Sequence, residues 1–211
     1  MIGRTQLMGL FTLEHGKAAY AADFVVYGAA VTALAAFLWA AVPHGQRLAI
    51  AGFVLLGLAG WTVIEYAMHR FVLHGLRPFS RWHAQHHERP TALIGTPTIV
   101  SATLIAALVF VPALRLAGLW RACALTLGVT AGYLVYAIAH HATHHWRAGS
   151  AWLRRRKRWH ALHHHLVDSP VCYGVTTSFW DHVFGSIPRA SGRQVLPGPG
   201  VARTSDGDYP L

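Results

Sequence analysis

The chain has 211 residues, of which 54% are apolar and 12% charged, and its formal net charge is +10. A soluble domain carries about twice that charged fraction, so the composition points to lipid as the main solvent. It also argues against a nucleic-acid reader, because the basic residues sit between and after apolar stretches, where the positive-inside rule accounts for them.

The length suits one domain. Residues 1–23 are mixed and weakly amphipathic, and no cleavable signal peptide is expected there. Four apolar segments follow, at about Phe24–Val42, Leu48–Met68, Ile99–Leu116 and Leu119–Ala139. Each approaches the roughly 20 residues that cross about 30 Å of hydrocarbon. Pro112, Arg115, Gly118 and Arg121 crowd the junction of the last two, which predicts a tight helical hairpin. Arg47, Arg115 and Arg121 lie on one side of these spans, and the other 15 of the 18 Lys and Arg lie on the opposite side. That asymmetry predicts an integral, multi-pass protein with both termini cytoplasmic. The stretch 1–190 is expected to form a single membrane-embedded domain. Residues 191–211, rich in Gly, Pro, Ser and Arg, are expected to be a disordered tail. Cys123 and Cys172 form no close pair and are expected to be free thiols.

The 16 histidines are the anomaly. His15 and His44 stand alone, and the other 14 fall in two blocks, 69–87 and 140–182. Residues at i, i+3 and i+4 share a helix face. His83, His86 and His87 therefore converge, as do His160, His163 and His164, while His140 and His144 converge across one turn. His69 and His74 are five apart, about 140° around an α-helix. They converge only if the helix ends or distorts between them, or else they serve different metals. Ten imidazoles at the ends of two helix pairs can hold two divalent ions, and neutral imidazole suits iron, zinc, copper or nickel. His141, His145, His165 and His182 are not needed by this spacing. The predicted architecture is all-α: four transmembrane helices with a cytoplasmic histidine-rich cap at 69–91 and 140–190.

Glu65 stands four residues before His69 and is read as the one acid inside a span. It is expected to accept the outer N–H of a ligand imidazole, with Asp168 and Asp181 as weaker candidates for the same task. The run Arg154-Arg155-Arg156-Lys157-Arg158 reads first as a topology signal, then as a contact for anionic headgroups or for an acidic electron donor.

The set of motifs resembles the fatty acid hydroxylase / sterol desaturase superfamily, and within it most nearly the fatty acid 2-hydroxylase branch. It consists of EYxxHRFxxH from Glu65 to His74, HxxHH from His83 to His87, HxxxHH from His140 to His145, WHxxHHH from Trp159 to His165, and YGVTTSFWDHVFG from Tyr173 to Gly185. The resemblance implies a dimetal centre with two iron ions, for which zinc can substitute in purified protein. It also implies O₂ as co-substrate and hydroxylation of a lipid acyl chain. It assigns ten catalytic metal ligands: His69, His74, His83, His86, His87, His140, His144, His160, His163 and His164. It further implies a separate electron donor such as a ferredoxin or a cytochrome b5-type protein. A carotenoid or sterol hydroxylase or desaturase of the same superfamily is the alternative, and a membrane metal transporter or metal-binding protein the distant one. Tyr173, Thr176, Thr177, Phe179 and Trp180 are candidates to close a substrate groove.

Overall fold

A computed structural model describes residues 14–166 and 170–188. The expected tail at 191–211 and Asp168 lie outside the described residues. Helix α1 spans Lys17–Ala41, and α2 spans Arg47–Ala67 and continues through a π-helical turn at Met68–Leu73. The short α3 follows at Phe79–Glu88. Helix α4, Thr98–Ile105, widens into a π segment at Ala106–Phe110 and resumes as α5, Val111–Ala117. Then come α6 (Leu119–His145), α7 (Ala151–His165) and α8 (Phe179–Val183). The described residues form no β-sheet, only one isolated bridge between Glu14 and Ile94.

Among the described residues, four helical stretches are long and apolar enough to cross a membrane: Lys17–Ala41, His44–Leu73, Thr98–Ala117 and Leu119–His145. The protein is accordingly an integral membrane protein. The first span begins at Lys17 rather than at Phe24, so it takes in Asp23. Glu65 is therefore not the one acid inside a span. Asp23 accepts hydrogen bonds from Thr98 Oγ1 (2.9 Å) and Tyr133 Oη (3.0 Å), which ties α1, α4 and α6 together. A carboxylate in hydrocarbon is tolerated when such donors satisfy it.

Pro112 explains the π segment. A proline ring collides with the carbonyl four residues back and offers no N–H, and widening the preceding turn relieves both problems. Gly118, at φ 82°, is the single residue joining α5 to α6, so the predicted tight hairpin forms.

Helix α6 is the axis of the bundle. Half of its apolar window is buried, against 6–22% for the other three spans. It presents small residues to its neighbours, and lipid-embedded helices associate by such close packing. At Gly128 the backbone of α2 is so near that an added Cβ would lie 2.1 Å from Val54 O. Tyr27, Trp61, Val129 and Tyr133 form one buried cluster, and Leu38, Val42, Ile50, Cys123 and Ala124 another. This packing sets the ends of α2 and α6 side by side, where the histidines are.

Candidate metal centre

The π turn at the end of α2 settles the His69–His74 question. The His74 N–H bonds to the His69 carbonyl at 3.2 Å, an i→i+5 bond that stacks residue i+5 over residue i. The two rings stand 5.3 Å apart. Helix α3 lays His83, His86 and His87 over this end of the bundle, α6 supplies His140 and His144, and α7 supplies His160, His163 and His164.

These residues form two groups. His69, His74, His83, His87 and His163 make the first, and His86, His140, His144 and His160 the second. Within each group, one ligand atom from every residue lies within 4.8 Å of all the others. Nine of the ten predicted histidines are thus gathered. The tenth, His164, lies between the groups: its Nε2 is 3.1 Å from His160 Nε2, and its ring stacks on His87 at 4.2 Å.

Two-centre hydrogen bonds do not account for every contact in the first group. The Tyr173 carbonyl can only accept, so His69 Nδ1, 2.6 Å away, carries the proton. In the neutral ring the Nε2 then holds a lone pair. His83 Nε2 lies 3.0 Å from that lone pair and 3.2 Å from His87 Nε2. If His83 donates to His69, its Nε2 has no lone pair left for His87. If it accepts from His87, it faces His69 lone pair to lone pair. His163 is oriented in the same way by the Val171 carbonyl (2.8 Å), and its free Nε2 points at His74 Nε2 (3.1 Å). A cation resolves all these contacts. Metal–nitrogen bonds of about 2.1 Å place ligands at right angles about 3 Å apart, matching the 2.8–3.2 Å Nε2 separations across both groups. Among the described residues, the Nδ1 atoms of His86, His160 and His164 are buried without a hydrogen-bond partner. These rings are therefore held by their Nε2 side and by packing.

Burial keeps His74, His86, His163 and His164 neutral, as ligation requires. It pushes His74 down to about 4, and His86 and His163 down to about 3. His164 falls to about 2, again through burial first and then through His87 and its other neighbours. A cavity of about 250 Å³ opens beside the first group, against His74, His83, His87, His163 and His164.

The carboxylates act one step further out than the sequence suggests. Glu65 takes no ligand imidazole N–H. It accepts the Val175 N–H (2.8 Å), the Thr176 N–H (2.9 Å) and the Thr176 hydroxyl. Asp181, fully buried, accepts from Tyr173 N, Gly174 N, Ser186 Oγ and Trp159 Nε1. Together the two acids pin an irregular strap, 171–178. Gly174 is needed there, because a Cβ would meet Thr177 O at 1.9 Å. The strap's carbonyls at Val171 and Tyr173 in turn orient His163 and His69.

A scan against family models matches residues 54–186 to the fatty acid hydroxylase model. The chain belongs to the fatty acid hydroxylase family. Among curated relatives, it is 33% identical over 150 residues to the dihydroceramide fatty acyl 2-hydroxylase FAH2 of Arabidopsis thaliana, covering 64% of this chain and 60% of that one. It is 34% identical over 168 residues to the ceramide very long chain fatty acid hydroxylase scs7 of Schizosaccharomyces pombe, covering 71% and 46% respectively. The chain thus spans about half to three-fifths of the length of these relatives. A solved structure of full-length scs7p, in which only the hydroxylase domain is visible, has the same fold: TM-score 0.70 and 24% identity over 81% of this chain and 67% of that one.

In this family member the closing motif is a strap anchor. Thr176 serves Glu65, Thr177 Oγ1 accepts the Phe179 N–H, Trp180 Nε1 donates to Thr62 Oγ1, and Phe179 is exposed. Tyr173 packs over His69, His74 and His163. Of the histidines set aside by spacing, His141 meets Tyr20 Oη at 3.3 Å and stacks on His145. His182 stacks on Trp159, and His165 is exposed. Arg156 departs most from the sequence reading. It is 4% exposed, although it stands in the middle of a charge run read as a surface.

Proposed function

We propose that the protein is a membrane-bound, O₂-dependent diiron oxygenase that hydroxylates a fatty-acyl chain. The observation that carries this reading is the pair of adjoining imidazole groups, whose Nε2 atoms are gathered at separations that fit a cation in each. His69, His74, His83, His87 and His163 would hold one iron. His86, His140, His144 and His160 would hold the other, with His164 between them. Neutral ligands leave the metals' positive charge unneutralised, which favours anionic oxygen ligands over other partners. Bound iron would supply O₂ activation and C–H oxygenation.

The chain's own part is to bind, orient and exclude water. The strap fixes the tautomers of His69 and His163 so that their Nε2 lone pairs face inward, and such outer bonds set ring orientation and ligand basicity. The bundle brings the site to the end of four apolar helices, so an acyl tail can approach from the bilayer without crossing a polar layer. The basic asymmetry favours a cytoplasmic site with both termini on that side. Electrons would come from a separate donor, such as a ferredoxin or a cytochrome b5-type protein. The acyl substrate class is favoured over a carotenoid or sterol by the activities of the relatives, which are ceramide and fatty acyl hydroxylases. A transport role would need ligands spaced along the membrane, whereas the histidines gather at one end of the bundle.

The test is iron-loaded protein in bilayers, supplied with a reductant, a fatty-acyl lipid and isotopically heavy O₂. A hydroxylated acyl product carrying the heavy oxygen is expected, and none from the His83→Ala variant. An unmodified acyl chain with iron fully loaded would sink the reading.

A further inference from the structure

Helix α7 buries one face. Leu153, Arg156, His160 and His163 are its buried residues, and their spacing of three, four and three places them along one stripe. Arg154, Arg155 and Arg158 are exposed. Arg156 therefore faces inward, one turn from His160. Its Nη1 is buried and has no hydrogen-bond partner, and the ion pair found within 4.0 Å among the described residues is Arg89–Glu14, elsewhere. A guanidinium does not shed its proton in a protein, so a positive charge sits on the buried face of α7 with its Nη1 unmet.

Two carboxyl groups that serve as hydrogen-bond acceptors are enclosed nearby. Glu65 is 4% exposed and Asp181 0% exposed. Helix α7 itself reaches this acid pair: Trp159, three residues after Arg156 and on the same face, donates Nε1 to Asp181 Oδ2 at 3.2 Å, and burial lowers the Arg156 pKa while Asp181 and Glu65 act in the opposite sense. Both acids spend their oxygens on the strap: Glu65 on Val175 and Thr176, Asp181 on Tyr173 and Gly174. Neither is free to turn toward Arg156. In a medium of low dielectric, charges interact strongly beyond contact distance.

We propose that Arg156 is a positioning residue of the metal site, an internal counter-charge that offsets Glu65 and Asp181 and so holds the 171–178 strap whose carbonyls orient His69 and His163. It touches no substrate and acts through the two carboxylates. The metal consequence rests on the proposed function. The strap consequence does not, and the two are read separately.

The experiment is amide hydrogen exchange on the metal-free, full-length protein in nanodiscs, comparing wild type, Arg156→Lys and Arg156→Met. Methionine keeps much of the side chain's bulk and removes the charge. In Arg156→Met, exchange at Tyr173, Gly174, Val175 and Thr176 is expected to rise by roughly tenfold or more, with the α1, α2 and α6 amides unchanged. Lysine, which keeps the charge on a different head group, is expected to restore most of the protection. Unchanged strap exchange in the methionine variant would overturn the proposal. So would a rise spread evenly over all helices, or a lysine variant no better protected than methionine. Iron retention is then measured on the same three proteins. Loss of the first group's metal in Arg156→Met alone is expected. A wild type that binds no metal would contradict the proposed function and leave the exchange result standing.

Discussion

The residues that set the site's chemistry are not all residues that would touch a metal. Glu65 and Asp181 work through backbone N–H groups, and the strap carries their effect to His69 and His163. Glu65→Met keeps much of the bulk but removes the oxygen that the Val175 and Thr176 N–H groups share. Leaving a buried donor unmet costs about 1–3 kcal/mol. Thermal unfolding in detergent should show a loss of that size, and iron retention should fall with it. Asp181→Asn should cost at least as much, since Asp181 meets four donors. Neither role could be read from the sequence. A carboxylate four residues before a histidine suggests a direct bond, whereas a backbone N–H from a segment 110 residues away has no side-chain signature. Arg156 was hidden for a similar reason: its neighbours make the run look uniformly solvated, and only the phase of α7 turns this one arginine inward.

The elements themselves were largely legible. Lipid as solvent demands long apolar runs, and all four were visible in the sequence. Their ends were less so. Asp23 fell one residue outside the first expected span because an acid reads as a boundary, and it is satisfied only by Thr98 and Tyr133 on other helices. The π turn at Met68–Leu73 was invisible to a search for a 3.6-residue period, although the five-residue spacing of His69 and His74 signalled that the helix must either end or distort. The α2–α6 crossing is the element on which the site's alignment depends. Gly128→Ala would force a Cβ against the Val54 carbonyl, and overpacking of this kind costs about 1–3 kcal/mol. Gly52→Ala on the same α2 meets nothing within 4 Å and should be neutral or gain about 0.5 kcal/mol. Paired melting curves check the contrast. Equal effects at the two positions would mean that the crossing is looser than described.

At the scale of the whole molecule, the histidine cap couples folding to pH. In the unfolded chain an imidazole takes a proton below about pH 6.5. In the folded chain burial keeps His74 neutral to about 4, and His86 and His163 neutral to about 3. Below about pH 6.5 the unfolded state therefore binds more protons, and stability falls as pH falls. Metal-free protein should melt at a lower temperature at about pH 5 than at about pH 7.5. A melting temperature that holds level or rises on acidification would contradict the buried neutral cap. Bound metal should sharpen the same trend, because protons and metal compete for each Nε2.

The proposed chemistry depends on a pair of metal ions, each held by its own imidazole group. The most direct measurement is metal content per chain in protein purified from membranes, for wild type, His163→Ala, His86→Ala and the double variant. His163 belongs to the first group and His86 to the second. Wild type should hold two metals per chain, either single variant about one and the double variant none. One metal or none in well-folded wild type, or a content indifferent to both substitutions, would contradict the metal pair.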